Sequence, residues 1–279
     1  MSDDVVILDG AVEPDSYFAI VGGGEVYAYT CQAPNKDSEN EDTVAVIPYG
    51  PEAAVLVVAD GAGGLPAGKR ASSTAVASLA ASLHTAMEET MLLRTAILNG
   101  IDAANSAVQA IGNGSATTLT VITIEGRTAR SYQVGDSEAI VVGQRGLIKL
   151  QTTPHSPTGF AVEAGFLDEK EALHHEDRHL VSNFLGTADM RIDVGAELLM
   201  QPRDTVLLAS DGLMDNVHLD EIIERVRKGP MADAAGRVVS LAQRRMTGIA
   251  PAQPSKPDDL SLILFRKRAR KAPGAVDDI

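Results

Sequence analysis

Five acidic positions in this chain share one local setting. Asp60 follows the apolar run Val55 to Ala59, and Asp211 follows the run that ends at Ala209. Asp258 precedes the run Leu260 to Phe265, Asp136 stands in the turn Gly135-Asp136-Ser137 between two runs, and Glu41-Asp42 lead into Thr43 to Ile47. One aspartate at a strand end is ordinary, because its carboxylate bonds to nearby backbone there. Several of them converging on one site, with few basic residues beside them in sequence, would be strongly unfavourable unless cations offset the charge. Oxygen donors of this kind select hard ions such as Mg²⁺, Mn²⁺ or Ca²⁺ over zinc. The residues therefore predict a hard-metal cluster, with a metal pair and not a base as the partner of Asp60.

The run Val55-Leu56-Val57-Val58-Ala59-Asp60-Gly61-Ala62-Gly63-Gly64 is the element that must place the central carboxylate. Continuous aliphatic residues bounded by glycine favour a strand buried on both faces. Short strands are also predicted over Val5 to Leu8, Tyr17 to Val21 and Val26 to Tyr29. Apolar residues at helical spacing then predict two helices, Lys69 to Met91 and Arg94 to Ile111. Thr117 to Ile124, Thr128 to Val134 and Glu138 to Val142 follow as strands on connections too short for parallel crossovers, so they are antiparallel. Strands at Arg191 to Met200, Asp204 to Ala209 and Leu260 to Phe265, with helices at Asp220 to Arg227 and Ala232 to Arg245, complete an α+β pattern of helices on antiparallel sheet. Residues 151–190 differ in kind: they hold four of the six histidines and are read as an exposed helical flap, in which His174, His175 and His179 have metal-ligand spacing but a simpler reading as surface residues. One domain over 1–265 is expected, followed by a basic, disordered tail over 266–279.

The chain of 279 residues has a formal net charge of −14, and the stretch Arg266 to Lys271 concentrates five of its 24 basic residues. The body is more acidic still, which argues against nucleic-acid binding. A single cysteine, Cys31, excludes an internal disulfide. The acidic start Met1-Ser2-Asp3-Asp4 is unlike a secretory signal, and no run approaches the roughly 18 apolar residues of a membrane helix. A cytoplasmic, monomeric protein without membrane insertion is the expectation.

Asn40-Glu41-Asp42, Val58-Ala59-Asp60-Gly61-Ala62-Gly63-Gly64, Ala116-Thr117-Thr118-Leu119, Val134-Gly135-Asp136-Ser137, Ser210 to Asp215 and Asp258-Asp259-Leu260-Ser261 resemble, in order and spacing, the motifs of the metal-dependent protein phosphatases of the PP2C type, also called PPM, in their bacterial form. His155-Ser156 and Leu185-Gly186-Thr187 resemble that family's flap. The resemblance implies a four-layer αββα sandwich of two antiparallel sheets. It implies that Asp60 bridges two Mn²⁺ or Mg²⁺ ions and holds a water shared between them, so that no protein nucleophile is needed, and that the Gly61 carbonyl binds one ion. Asp211 and Asp258 then complete the other shell, Glu41 and Asp42 act through water, and Asp136 belongs to a third, weaker site. The implied substrate is a phosphoserine or phosphothreonine protein, a target of a Ser/Thr kinase. Three positions depart from the pattern: Ala62 replaces a histidine found in many eukaryotic members, Asp37 replaces a phosphate-binding arginine, with Lys36 beside it as the phosphate contact, and Glu138 replaces an arginine.

Two other functions fit parts of the chain. Gly63 to Arg70 nearly spells a nucleotide-binding phosphate loop, which would require a mostly parallel sheet, but Arg70 stands where a magnesium-binding hydroxyl belongs. The three departures are compatible with a sensor or adaptor that keeps metals without efficient turnover.

Overall fold

The computed structural model describes residues 4–10, 13–62, 67–248 and 253–268. In chain order the elements are β1 (Val6–Asp9), β2 (Asp15–Val21), β3 (Gly24–Cys31), β4 (Asp42–Pro48), β5 (Ala53–Asp60), α1 (Gly68–Glu88), α2 (Leu93–Gln109), β6 (Leu119–Glu125), β7 (Thr128–Val134), β8 (Glu138–Val142) and β9 (Ile148–Gln151). The flap region holds α3 (Pro157–Glu163), α4 (Glu169–Ala172) and a 3₁₀ turn over Glu176–His179. Then come β10 (Asp193–Val194), β11 (Leu198–Leu199), β12 (Thr205–Ala209), α5 (Asp211–Met214), α6 (Leu219–Val226), α7 (Met231–Met246) and β13 (Leu260–Lys267).

The strands form two antiparallel sheets. One has the order β1-β4-β5-β6-β7-β10, with β11 also pairing β7, and the other has the order β2-β3-β13-β12-β8-β9. β5 shows why its sequence lacks alternation. Val55, Val57 and Ala59 pack with Leu79, Leu83, Ile97 and Ile101 of α1 and α2, while Ala54, Leu56 and Val58 pack between the sheets with Val206, Leu208 and Ile263. On the far side, Leu207, Leu262 and Leu264 meet Ile222, Val238 and Ala242 of α6 and α7. The result is a four-layer αββα sandwich whose two central strands are covered on both faces, as continuous apolar runs require.

Four expectations differ in extent or kind. The strand read over Arg191 to Met200 is only two short pairings with β7, Asp193-Val194 and Leu198-Leu199, and between them the Gly195 N–H donates to the Ser131 carbonyl at 2.9 Å where an added Cβ would strike the Ser131 hydroxyl. The flap read over 151–190 is helical only in short pieces: α4 stops at Ala172, and a 3₁₀ turn capped by His175 follows. The basic tail begins later than 266: Arg266 and Lys267 extend β13, with Arg266 Nε donating to Thr205 Oγ1 at 3.0 Å and Lys267 Nζ to the Gly22 carbonyl at 3.1 Å. The expected disorder of 269–279 falls outside the described residues. The phosphate-loop reading is overturned because every strand pair is antiparallel; its Gly63 to Pro66 also lie outside the described residues. No helix among the described residues is long and apolar enough to cross a membrane.

The chain leaves β12 and re-enters at β13 through a very close approach. A Cβ on Gly212 would overlap the carbonyl oxygen of Asp259, whereas one on Gly236 in α7 would meet nothing within 4 Å. Gly212→Ala is therefore expected to lower unfolding stability by about 1–3 kcal/mol. Gly236→Ala, a helix substitution into open space, should leave stability unchanged or raise it by up to about 1 kcal/mol. Urea unfolding of the two variants measures the contrast, and equal effects would show that the Gly212 approach is not tight.

Candidate metal centre

Asp60 ends β5 and lies directly opposite Asp42, the first residue of β4, in the antiparallel register. Its backbone is clamped by the Thr117-Thr118 segment. The Asp60 N–H donates to Thr118 Oγ1 at 3.0 Å, and its carbonyl accepts from the Thr118 N–H at 2.8 Å and from Thr117 Oγ1 at 2.7 Å. Thr118 Oγ1 in turn lies 2.9 Å from Ser137 Oγ, which ties Asp60 to the turn that carries Asp136. Next in the chain, the Gly61 N–H donates to the Glu41 carbonyl at 3.1 Å, and a Cβ on Gly61 would collide with the backbone of Gly68. Glycine is thus demanded by close backbone packing at the point where the sequence predicts a backbone ligand.

The second sheet supplies the remaining acids and fixes the first set. Asp42 is 1% exposed; its Oδ2 accepts from Ser210 Oγ at 2.8 Å, and Ser210 Oγ accepts from the Ser261 N–H at 3.0 Å. Asp211 follows Ser210 at the start of α5, and Asp258 stands just before β13. Burial, reinforced by the neighbouring carboxylates, pushes Asp42, Asp60 and Asp136 well above the usual carboxylate range. The same causes, burial first and Asp211 next, raise Asp258 to about 7 and Asp215 to about 6. A cleft of about 400 Å³ opens against Asp136, Glu138, Asp211 and Asp215, with Pro154 and Gly159 from the flap region on another wall.

The structure thus gathers the predicted Asp60, Gly61, Asp136, Asp211, Asp258 and Glu41-Asp42 at one end of the sandwich. Among the described residues, however, no group of three or more His, Cys, Asp or Glu side chains stands ready to hold an ion. The acids are gathered around lysines instead. Lys256 Nζ contacts Asp211 and lies 2.9 Å from Asp215 and 3.4 Å from Asp258. Lys36 Nζ lies 2.6 Å from Asp259 and 3.1 Å from Glu41. Neither lysine pairs with Asp60, the acid for which no base partner is expected; they pair with its neighbours. Asp42 Oδ1 and Asp211 Oδ1 nevertheless remain buried without a hydrogen-bond partner. Orphaned carboxylate oxygens within an all-oxygen donor set fit a hard divalent cation.

Three participants escape the sequence reading. Asp215 lies four residues after Asp211, so a helical turn brings both to one side; that spacing was a usable signal. Asp259 is the structural knot of this end: its Oδ1 accepts from the Ala33 N–H at 2.8 Å and its Oδ2 from the Glu41 N–H at 2.7 Å. Lys256 carried no signal beyond being a lysine two residues before an acid. His155, expected in the flap, is buried; its Nδ1 accepts from the Gly135 N–H at 3.1 Å and from Asn183 Nδ2 at 2.8 Å, and its Nε2 faces Asp193 at 3.0 Å. His174, His175 and His179 are exposed, and His175 Nδ1 caps the 3₁₀ turn by accepting from the Asp177 N–H at 3.1 Å.

Glu138 opens β8 and is 9% exposed, with Gln151 Nε2 at 3.4 Å. Burial raises its carboxyl from 4.5 to about 8, against a smaller opposing effect of the Gln151 bond. Between those values the folded chain holds a proton that the unfolded chain has released, so stability falls as pH rises through the window. The metal-free protein should therefore lose on the order of a few kcal/mol from this group between about pH 5 and 8. Glu138→Gln should flatten that decline, as read by melting temperature across pH. An unchanged slope would remove Glu138 as its cause.

The family model described as Protein phosphatase 2C matches residues 33–244. The chain is 29% identical over 195 residues to a putative protein phosphatase 2C-type of Streptococcus pyogenes, covering 67% of this chain and 78% of that one. It is 31% identical over 217 residues to the serine/threonine protein phosphatase PstP of Mycobacterium tuberculosis, covering 74% of this chain and 40% of that one. The crystal structure of the PstP catalytic domain with two manganese ions shares the fold, with a TM-score of 0.69 and 23% identity over 92% of this chain and all of that one. By the family model, and by the motifs that its fold brings together, the chain belongs to the protein phosphatase 2C family.

Proposed function

We propose that this protein is a metal-dependent phosphatase that hydrolyses phosphoserine and phosphothreonine in proteins phosphorylated by a Ser/Thr kinase. The observation that carries the proposal is the convergence of Asp42, Asp60, Asp136, Asp211 and Asp258 with two carboxylate oxygens left unpartnered. Mn²⁺ or Mg²⁺ would be held by Asp60, the Gly61 carbonyl, Asp211 and Asp258, with Glu41 and Asp42 acting through water and Asp136 serving a third, weaker position. When bound as a pair, such ions supply an acidified water as nucleophile and charge compensation for the phosphoryl oxygens.

The chain's own residues do the positioning. Thr117 and Thr118 fix the Asp60 backbone, Ser210 holds one oxygen of Asp42 and leaves the other free, and Asp259 anchors Glu41 through its N–H. The cleft beside Asp136 and Asp211 gives a phosphorylated side chain access from solvent. Lys36 is the proposed phosphate contact; Glu41 and Asp259 accept from its ammonium, whose third N–H is left for a phosphate oxygen. Positioning of this kind, together with charge compensation, accounts for most of the catalysis in phosphoryl transfer.

A phosphothreonine peptide assayed with Mn²⁺ tests the reading. Metal-dependent release of phosphate is expected, falling by about 10²-fold or more in Asp60→Asn and in Asp211→Asn. No hydrolysis by the parent protein would sink the enzyme reading in favour of a metal-binding sensor. Hydrolysis surviving both substitutions would instead sink the assignment of the site.

A further inference from the structure

Lys256 lies on the segment that leads into β13, and its backbone is fixed from both sides. Its N–H donates to Asn216 Oδ1 at 2.8 Å, and its carbonyl accepts from Asn216 Nδ2 at 2.8 Å. Asn216 is fully buried, and its own carbonyl accepts from Arg245 Nη1 at 3.0 Å. The loop is therefore anchored, and the freedom left to Lys256 is the rotation of its four-carbon stem. At the end of that stem the ammonium touches Asp211 and stands 2.9 Å from Asp215 and 3.4 Å from Asp258.

Asp211 and Asp258 are also among the side chains that the proposed function assigns to the metal ions, and the resemblance to the family implies that they share the shell of one of them. An ammonium and a divalent cation cannot both occupy the space between them, since a +1 and a +2 charge a few ångströms apart repel strongly wherever solvent is excluded. Lys36 differs in this respect. Its closest carboxylate, Asp259, is already committed to backbone donors and is not a proposed ligand.

We propose that Lys256 is a tethered cation that neutralises Asp211, Asp215 and Asp258 in the metal-free protein and must swing out when a divalent ion binds there. The inference rests on the reading of Asp211 and Asp258 as metal donors. Metal binding at this position is then an exchange of one cation for another. Lys256 lowers the affinity for the ion while offsetting part of the charge of the three carboxylates, and the flexible, strongly hydrated lysine head is suited to leaving.

The test is Mn²⁺ binding to the full chain by isothermal titration calorimetry, for wild type and Lys256→Met, with melting temperatures measured without and with Mn²⁺. The variant is expected to bind one Mn²⁺ about tenfold more tightly or better, and to melt lower than wild type only in the metal-free form. Unchanged or weaker Mn²⁺ binding by the folded variant overturns the exchange and leaves the phosphatase reading standing. Absence of Mn²⁺ binding by both proteins overturns both. A measurement on wild type alone covers a variant that fails to fold: pulse acetylation with acetic anhydride, read by peptide mass spectrometry. Labelling of Lys256 should rise several-fold on adding Mn²⁺, while Lys149, paired with Asp204 at 2.6 Å, stays constant. Lys256 labelling that is level or lower with Mn²⁺ overturns the proposal.

Discussion

Asp42 and Asp60 face each other across a pair of antiparallel strands, and the rest of this end of the molecule is arranged around that repulsion. Like charges directly opposite in a sheet are destabilising even at a surface. Here Asp42 is almost wholly buried, and both carboxyls are driven upward, chiefly by burial. Such a pair persists only with protons, with cations, or with both. With the carboxyls ionised, the arrangement is a standing demand for positive charge. Lys36 and Lys256 meet part of that demand along the rim, while the unpartnered oxygens of Asp42 and Asp211 remain unmet.

The demand is held in place by polar bonds and offset by apolar packing elsewhere. Three aliphatic clusters, one between the sheets and one beneath each helical layer, supply the stability that lets one end carry unfavourable charge. The polar bonds stitch the two sheets together through small hydroxyls. Thr30, bonded to Ser261 within its own sheet, reaches Asn40 at the start of the other; Ser210 links to Asp42, and Thr118 links to Ser137. Hydroxyls suit this task because each can both donate and accept in little space. Neither sheet alone could orient Asp42, which belongs to one and is aimed by a serine from the other.

Much of this was legible in the residues because it is written locally. Val55 to Ala59 announced a strand covered on both faces, and the acids at strand ends announced a shared site, since a strand end is a fixed place in a layered fold. The rest depends on contacts across long stretches of chain. Ser210 reaches Asp42 over 168 positions, and Asp259 reaches Ala33 over 226. No spacing rule reports such partners. Lys256 was hidden for the same reason: two of its three acid partners, Asp211 and Asp215, lie more than forty positions away, and only the fold brings them together. The overlong strand at Arg191 to Met200 failed because propensity does not register which residues of a run find a partner strand: only Asp193-Val194 and Leu198-Leu199 pair with β7.

The β4–β5 hairpin runs in unbroken register from Pro48 opposite Ala54 to Asp42 opposite Asp60. Its turn lies at the far end, six pairs away, or about 20 Å at the usual rise per residue. The turn therefore acts as a ruler for the two carboxylates. A change in its length that slipped the register by one residue would send one of the two carboxylates to the opposite face of the sheet, with every residue of the site unaltered. The separation of the two acids is thus inherited from a loop that never touches the chemistry, and loop length at Tyr49 to Glu52 is as much a part of the site as its ligands.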